Sequence, residues 1–475
     1  MMGNTAKGTP TKEFFVGMLT RDIELSDAIL DLLDNCLDGV VRQKGKDSDR
    51  AASDYYVGYY SNITFDSISF NIEDNCGGIP RNVAEEYAFR MGRSSEKDDD
   101  GLPTVGIYGI GMKRAIFKIG QSAEISTRNQ TNLYKVSIPI TWVSSDVWDF
   151  SIEDITEDIL NGGGTRIAIS NLTPNIADSW ATKDKIDEYT KKLIKAVRQS
   201  YSFIIQKGFK ITINSKEVAP LPIQLLLSDQ EAGIKPFLYS QTYDDVNVSL
   251  AVGFYAPPPS PEDIDDENDL KRSSSDAGWT VVCNDRVVLY NDKSHLTGWG
   301  EAGVPQYHTQ FIGIRGIVIF ESHNPKNLPM TTTKRGVDTS SKIYSAVKDK
   351  MRIGLKMFTD YTNKWKGQNE KERDYSTKAK SVDIDRLIGT REKIEAEIPT
   401  IQFKKNREGF IFNPTLPKPP NDKPYKVIRF SKSIDDISLL KEHFYGDSTH
   451  SASPSQVGEK CFDVALANIK GEEEE

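Results

Sequence analysis

An acidic stripe is the part of this chain whose residue types and spacing most directly suggest chemistry. Over the segment 24–39, a helix would place four aspartates on one narrow side with an asparagine at its edge: Asp27, Asp31, Asp34, Asp38 and Asn35. Apolar residues cover most of the remaining circumference, which indicates a buried helix. No Lys or Arg lies between Arg21 and Arg42 to relieve the repulsion. The stripe therefore favours a pocket that binds a cation, and the alternative is an amphipathic helix with a solvated acidic edge.

A second carboxylate, Asp74, follows a segment that alternates polar and apolar residues over 67–72, as a half-buried strand does. The glycines Gly77 and Gly78 follow it after two residues and would let the backbone approach a ligand closely. Asp74 could then accept a hydrogen bond from that ligand. An ordinary Asp-Asn-x-Gly turn has the same composition.

Two further segments are rich in glycine. Gly106, Gly109 and Gly111 precede Lys113 and a helical pattern over 114–119. Backbone N–H groups and the dipole at a helix N-terminus bind anions, and Lys113 adds a full positive charge. The spacing matches neither the Rossmann nor the P-loop pattern, so a plain turn is the alternative.

The second glycine-rich segment is 162–164, which leads into Thr165 and a strand pattern over 166–169. The hydroxyl of Thr165 would lie close to a neighbouring backbone or to a ligand. A glycine-rich hairpin without a ligand is the alternative.

In this order and spacing, the four motifs resemble the GHKL ATPases, the superfamily of gyrase B, the heat-shock ninety chaperones, histidine kinases and MutL. The resemblance is most specific to the MORC and MutL branch. It implies that Asp31 is the catalytic base, that Asn35 binds magnesium, that Asp38 follows on the same helix and that Asp74 binds the adenine amine of ATP. The other nucleotide contacts that it implies are Gly78, Ile79, Gly106, Tyr108, Gly109, Ile110, Gly111, Met112, Lys113 and Thr165.

Two residues depart from the family pattern. The usual base is Glu, and the shorter Asp31 makes slow hydrolysis an expected consequence. Cys76 stands where the first glycine of the adenine-binding turn usually is. The resemblance also implies a lid from Met91 to Gly111 that closes over the phosphates, with a hinge near Gly101.

A second domain follows the nucleotide domain. Residues 278–289 have a strand–turn–strand pattern, and residues 311–320 form another strand pattern that precedes the loop Leu328–Arg335. This part is similar to the transducer domain of MutL, gyrase B and MORC proteins, whose loop lysine reaches the γ-phosphate. Lys334 is the candidate for that role, and a solvated surface lysine is the alternative.

Composition sets the broad class. The 475 residues carry a net charge of −9, which argues against a broad nucleic-acid-binding surface but leaves room for a local basic channel. The four cysteines show no metal spacing, which indicates a reduced, cytoplasmic compartment. No apolar run is long enough to predict a membrane span.

The expected fold is α/β. It comprises a two-layer Bergerat-type sandwich over 11–226, with a mixed sheet and helices on one face, a smaller transducer-like domain over 237–364, and a C-terminal extension over 365–475 that is partly linker. The expected function is magnesium-dependent ATP binding and slow hydrolysis, which drive lid closure and homodimerisation. The protein would then be an ATP-gated clamp or switch acting on DNA or on a protein assembly. A chaperone-like ATPase acting on client proteins is the alternative, and a histidine-kinase-like phosphotransferase is a third possibility.

Overall fold

The structure is a computed structural model, and it describes residues 10–90, 92, 102–106, 109–130, 132–156, 160, 162–259, 276–420, 428 and 430–470. Two predicted features fall wholly or partly outside these residues. They are Tyr108 of the glycine loop and residues 91, 93–101 and 107 of the lid.

The first part of the chain is built on a mixed sheet that has eight strands among the described residues. The strands are Tyr60–Phe65 (β1), Ser69–Asp74 (β2), Gly120–Asn129 (β3), Asn132–Ile138 (β4), Ser151–Asp154 (β5), Gly164–Leu172 (β6), Lys210–Ile213 (β7) and Lys216–Glu217 (β8). Their order is β5-β4-β3-β6-β2-β1-β7-β8. The pair β1–β7 is parallel and the other neighbours are antiparallel.

Helices pack on this sheet. They are Lys12–Arg21 (α1), Leu25–Lys44 (α2), Arg81–Val83 (α3), which continues as a π-helical turn at Ala84–Ala88, Gly111–Ile119 (α4), Pro174–Ser179 (α5) and Lys183–Gln206 (α6). Apolar residues of helices and strands share one core, as Leu33 of α2, Ile116 of α4, Val197 of α6 and Ile125 of β3 illustrate. α2 ends at Gly45, whose φ of 75° and N–H bond to the Val41 carbonyl form a helix C-cap.

The second part of the chain contains two further sheets. Its strands are Gln224–Leu227 (β9), Phe237–Tyr243 (β10), Val246–Phe254 (β11), Gly278–Cys283 (β12), Arg286–Asp292 (β13), Ile314–Glu321 (β14), Lys380–Asp383 (β15), Lys404–Asn406 (β16) and Gly409–Phe412 (β17). The larger sheet has the order β13-β12-β14-β11-β10-β17-β16, with β12 parallel to β14, and the smaller sheet pairs β15 with β9. The predicted α/β class with mixed sheets is confirmed.

The helices of this part are Lys342–Lys364 (α7), Asn369–Ser376 (α8), Arg391–Glu397 (α9), Ile434–Tyr445 (α10) and Pro454–Lys470 (α11). α7 buries Leu355 and Phe358 in the same core as Val252 of β11. Strands β15 to β17 lie beyond residue 364, where we place the start of the C-terminal extension, and they pair with β9 and β10. This extension therefore adds strands to sheets that begin before it.

One local prediction differs from the structure. The strand predicted over 311–320 begins at Ile314, because Thr309–Phe311 form a 3-10 turn before it. Within the C-terminal extension, residues 384–398 form two separate pieces, a 3-10 turn at Ile384–Arg386 and the short helix α9. Gly389, with a φ of 134°, lies between the two pieces and interrupts the helix.

Candidate functional site

A cleft of about 580 Å³ lies between α2, the turn after β2, the glycine loop before α4 and the loop that carries Lys334. Every predicted site residue that the structure describes lines it: Asp31, Asn35, Asp38, Asp74, Gly78, Ile79, Gly106, Gly109, Ile110, Gly111, Met112, Lys113, Thr165 and Lys334. Tyr108, the remaining one, is outside the described residues. The fold thus brings together residues that are more than 300 positions apart in the chain, such as Asp31 and Lys334.

One end of the cleft is formed by Asp74 at the end of β2. Its Oδ1 accepts a hydrogen bond from the backbone N–H of Cys76 at 2.8 Å, and its Oδ2 accepts a weak one from the Cys36 thiol at 3.4 Å. Burial raises the pKa of Asp74 to about 6, although these bonds oppose the shift. The site therefore offers an acceptor whose charge depends on pH near neutrality.

The backbone around Asp74 is packed so closely that side chains would not fit. A Cβ on Gly78, which has a φ of 67°, would lie 2.0 Å from the carbonyl oxygen of Arg128. A Cβ on Gly164 would lie 2.0 Å from the carbonyl oxygen of Asp74. Glycine at both positions lets the turn after β2 and the start of β6 line the same wall of the cleft.

Thr165 belongs to a hydroxyl pair on this wall. Its Oγ1 lies 3.1 Å from Oγ1 of Thr127, which also accepts a hydrogen bond from the N–H of Ile79 at 2.8 Å. Thr165 pairs with Asp74 in the β2–β6 register. The predicted adenine-side residues Asp74, Ile79 and Thr165 are therefore held by one hydrogen-bond network.

The acidic stripe of α2 lines another part of the cleft through Asp31, Asn35 and Asp38. Asp31, Asp34 and Asp38 are buried, whereas Asn35 is exposed in the cleft. Asp27, at the start of the stripe, forms an ion pair with Arg335. The stripe is thus a row of paired, mostly buried carboxylates rather than a solvated edge.

Asp31 contacts two cations. Its Oδ2 accepts hydrogen bonds from the guanidinium of Arg114, with the Nε atom at 3.1 Å, and its Oδ1 lies 3.8 Å from Nζ of Lys334. Burial raises the pKa of Asp31 even though Lys334 and Arg114 oppose the shift. A raised pKa is what a carboxylate needs to accept a proton during catalysis near neutral pH.

Asp34, one helical turn along, is the most heavily paired of the three aspartates. It accepts hydrogen bonds from Nζ of Lys334 at 2.8 Å, from Nε of Arg286 at 3.0 Å and from the Tyr201 hydroxyl at 2.7 Å. Burial alone would raise its pKa, but Lys334 and Arg286 outweigh burial and lower the pKa to about 2. Asp34 therefore remains a carboxylate over the physiological range and joins the two parts of the chain.

Lys334 is buried, with only 8% of its surface exposed. Its backbone φ of 57° lies in the left-handed region, which is uncommon for a residue with a side chain. The surrounding loop must hold this conformation, since an isolated residue would not favour it. The alternative that Lys334 is a solvated surface lysine is wrong for this structure.

Asp38 and the glycine loop are connected directly. The carboxylate of Asp38 accepts hydrogen bonds from the backbone N–H groups of Val105 at 2.6 Å and of Gly106 at 2.8 Å. A Cβ on Gly106 would lie 2.6 Å from Oδ2 of Asp38, so glycine permits this approach. Asp38 therefore fixes the loop that leads into α4.

Lys113, in the first turn of α4, is buried. Its Nζ donates to the backbone carbonyl of Ala88 at 2.9 Å and to that of Gly109. Burial lowers the pKa of Lys113 to about 8. Two carbonyls thus hold the ammonium group at the edge of the cleft, where a phosphate could compete for it.

Three site residues were missed by sequence reasoning. Arg114, Tyr201 and Arg286 bind the aspartates of α2, and none of them lies in a motif with a recognisable spacing. Arg286 follows a tight turn in the predicted strand–turn–strand segment. Its charge at this position between two strands was the one sequence feature that could have marked it as a site residue. Its partner could not be identified, because Asp34 is 252 positions away.

Residues 23–165 match the family model described as histidine kinase-, DNA gyrase B- and HSP90-like ATPase. The match supports a GHKL-type ATPase domain. It spans the acidic stripe, Asp74, the glycine loop and Thr165, and it supports ATP binding and hydrolysis in general terms. No curated protein matches the chain. Among the described residues, no helix combines the length and apolar character that crossing a membrane requires.

Proposed function

We propose that this protein is a magnesium-dependent ATPase in which the nucleotide state of the first domain controls the position of the second. The observation that carries the proposal is the single cleft that gathers the acidic stripe, Asp74, the glycine loop and Lys334. The family match covers all of these elements except Lys334.

Adenine would occupy the end of the cleft near Asp74. The exocyclic amine of adenine is a hydrogen-bond donor, and the Asp74 carboxylate is an acceptor at the cleft wall. Thr165 and the N–H group of Ile79 lie in the network behind it. The phosphates would then extend toward the glycine loop, whose backbone N–H groups and Lys113 suit an anion.

Asn35 fits a magnesium ion that accompanies the phosphates. Its side chain is exposed in the cleft and forms no hydrogen bond with another described residue, so its amide oxygen is available. Magnesium commonly takes one or two protein oxygens and completes its shell with phosphate and water. When bound, the metal would neutralise phosphate charge. The described residues contain no group of three or more His, Cys, Asp or Glu that could hold a metal alone.

Asp31 is the proposed base for the water that attacks the γ-phosphate. It lies four residues before Asn35 on the same helix and lines the same cleft. In the structure it is paired with Arg114 and Lys334. These cations must shift toward the phosphates before Asp31 can accept the water's proton, and this requirement, with the short side chain, is consistent with slow turnover.

We further propose that ATP binding closes the lid and drives homodimerisation. The dimer would then act as an ATP-gated clamp or switch on DNA or on a protein assembly. Support comes from Lys334, which belongs to the second domain and contacts Asp31 and Asp34 in the first. A terminal phosphate between them would change these contacts and so the relative position of the domains.

Calorimetric titration with ATP, with and without magnesium, tests the nucleotide assignment, and release of phosphate tests hydrolysis. We expect ATP to bind more tightly with magnesium and to be hydrolysed slowly. Absence of ATP binding under both conditions would refute the proposal. Stimulation of turnover by DNA would favour the clamp, whereas stimulation by an unfolded protein would favour a chaperone.

A further inference from the structure

The turn between β12 and β13 inserts polar residues of the second domain into the first. Asn284, Asp285 and Arg286 are at most 4% exposed, although they form the tip of a hairpin. Asn284 and Asp285 have φ values of 48° and 65°, as a tight two-residue hairpin turn requires. The Asn284 side-chain amide donates to the Ser322 carbonyl, and its oxygen accepts from the Ser322 N–H, both at 3.0 Å. These bonds hold the tip against its own domain.

The two charged residues of this tip bind different parts of the first domain. Arg286 pairs with Asp34 of α2, whereas Asp285 pairs with Arg50 and Lys207. The Asp285 distances are 2.9 Å to Nε of Arg50 and 2.8 Å to Nζ of Lys207. Asp285 and Arg286 each have oppositely charged partners at this contact, so the ion pairs define one position for the tip on the first domain.

Arg50 makes two contacts that Lys207 does not. Its guanidinium donates to the Asn284 carbonyl in the tip and also to the Pro103 carbonyl in the first domain. Pro103 lies in the segment Leu102–Gly106, whose other end is bound by Asp38 through the N–H groups of Val105 and Gly106. Arg50 thus joins the loop at the nucleotide cleft to the tip of the second domain.

We propose that Arg50 is a positioning residue that couples the loop Leu102–Gly106 to the hairpin tip Asn284–Arg286. This inference rests on the proposed ATPase function. A guanidinium presents several donors in one fixed plane, so it can bind two carbonyls and a carboxylate together. When nucleotide moves the loop, the Pro103 carbonyl carries Arg50 with it, and the tip follows. Lys334 enters the cleft from a different loop, and it shares Asp34 with Arg286 of the tip.

Arg50→Lys is the variant that tests the coupling. Lysine keeps a positive charge near Asp285, but its single ammonium group does not reproduce the planar fork that reaches both carbonyls. Lys207→Met is the matched control, because Lys207 also binds Asp285 but makes no contact with the loop Leu102–Gly106. Thermal unfolding without nucleotide checks that both variants are folded.

Hydrogen exchange with and without a non-hydrolysable ATP analogue measures whether the loop and the tip respond together. In the wild type, we expect the analogue to slow exchange in peptides covering 102–106 and 284–292 with the same concentration midpoint. In Arg50→Lys, the first peptide should still respond and the second should not, while Lys207→Met should resemble the wild type. We also expect kcat of Arg50→Lys to fall by about tenfold, within the usual range of coupling between sites, with KM changed little.

The outcomes separate this inference from the proposed function. If the wild-type protein does not bind the analogue, the proposed function fails. If it binds, and the tip does not respond in the wild type or responds equally in Arg50→Lys, the inference is overturned and the ATPase assignment stands. A wild-type tip that does not respond overturns the inference even if Arg50→Lys fails to fold.

Discussion

Lys334 and Asp34 form an ion pair between the two domains, with 2.8 Å between Nζ and Oδ2. The pair joins residues 300 positions apart and is buried on both sides. Asp31, the proposed base, lies 3.8 Å from the same ammonium group. Lys334 therefore lies in the cleft and is held there by two aspartates, so a γ-phosphate would compete with them for it.

Loss of this lysine should separate binding from turnover. In Lys334→Met, we expect ATP to bind with nearly unchanged affinity, because the residues proposed to bind adenine and magnesium remain. Turnover and ATP-dependent dimerisation should both decrease, since a charge at the terminal phosphate acts mainly in the closed state. Phosphate release and sedimentation with a non-hydrolysable analogue measure the two effects.

Arg335→Met is the control for Lys334→Met. Arg335 is the neighbour of Lys334 and pairs with Asp27, farther from the centre of the stripe. We expect it to keep wild-type turnover. A Lys334→Met protein that dimerises and hydrolyses ATP normally would leave the second domain without a demonstrated catalytic role.

Asp31→Asn should retain ATP and stop hydrolysis. The amide still accepts a hydrogen bond from Arg114, so the local packing is kept, but it cannot accept a proton from water. Removing a general base usually costs about 10²- to 10⁴-fold in rate. Single-turnover measurements are expected to show bound, uncleaved ATP. Turnover within about twofold of wild type would mean that another group activates the water.

ATP affinity should depend on pH through Asp74. Its pKa is raised by burial to about 6, so the carboxylate that we propose accepts the adenine amine is mostly ionised above pH 6 and mostly protonated below it. We expect ATP affinity to be constant above about pH 7 and to fall as the pH decreases through 6.

The raised pKa of Asp74 also means that the folded protein binds this proton more tightly than the unfolded chain does. The contribution of Asp74 to stability therefore decreases as the pH rises from about 4 to 6.

Asp74→Asn is the control for this pH dependence. The amide cannot be protonated in this range and can turn a donor toward the adenine amine, so binding should be weaker by roughly 1.5–3 kcal/mol above pH 7. The decrease in affinity near pH 6 should disappear. An unchanged affinity in Asp74→Asn would place adenine elsewhere in the cleft.

Asn35→Ala should remove the magnesium dependence of ATP binding. The side chain offers an oxygen ligand, and magnesium tolerates little loss of geometry. We expect affinity in magnesium to fall by about 10- to 100-fold, as is usual when a group that supports a metal is lost. Affinity in a chelator should stay the same, and Asn35→Asp, which keeps an oxygen, should bind magnesium. Calorimetry that finds equal affinity for Asn35→Ala and wild type in magnesium would contradict the assignment.

Local pattern was sufficient to predict the elements that carry the motifs. The acidic stripe and its apolar surroundings predicted a helix over 24–39, and the structure has Leu25–Lys44. The alternating residues 67–72 predicted a strand that ends near Asp74, and the structure has Ser69–Asp74. These elements were predictable because their periodicity and their end signals lie within a few residues of each other.

Contacts between distant segments were not predictable in the same way. The pairing of β17 with β10 joins positions about 170 residues apart, and nothing in either segment specifies the other. Arg114 lies in a helix that was predicted, but the direction of its side chain toward Asp31 depends on how α4 packs on α2. Arg286 likewise depends on where the hairpin tip docks. The missed part of the site is therefore the part that tertiary packing determines.

The packing of the hairpin tip against the first part of the chain also affects which fragments of the protein should be stable. A fragment that ends near residue 226 keeps Asp34 but loses Arg286 and Lys334, the two cations that hold the pKa of Asp34 near 2. The same fragment leaves Arg50 and Lys207 without Asp285. Removing one partner of a buried ion pair usually costs about 3–5 kcal/mol. We therefore expect the isolated nucleotide domain to be unstable at neutral pH, and a low activity in it would report unfolding rather than a missing catalytic group.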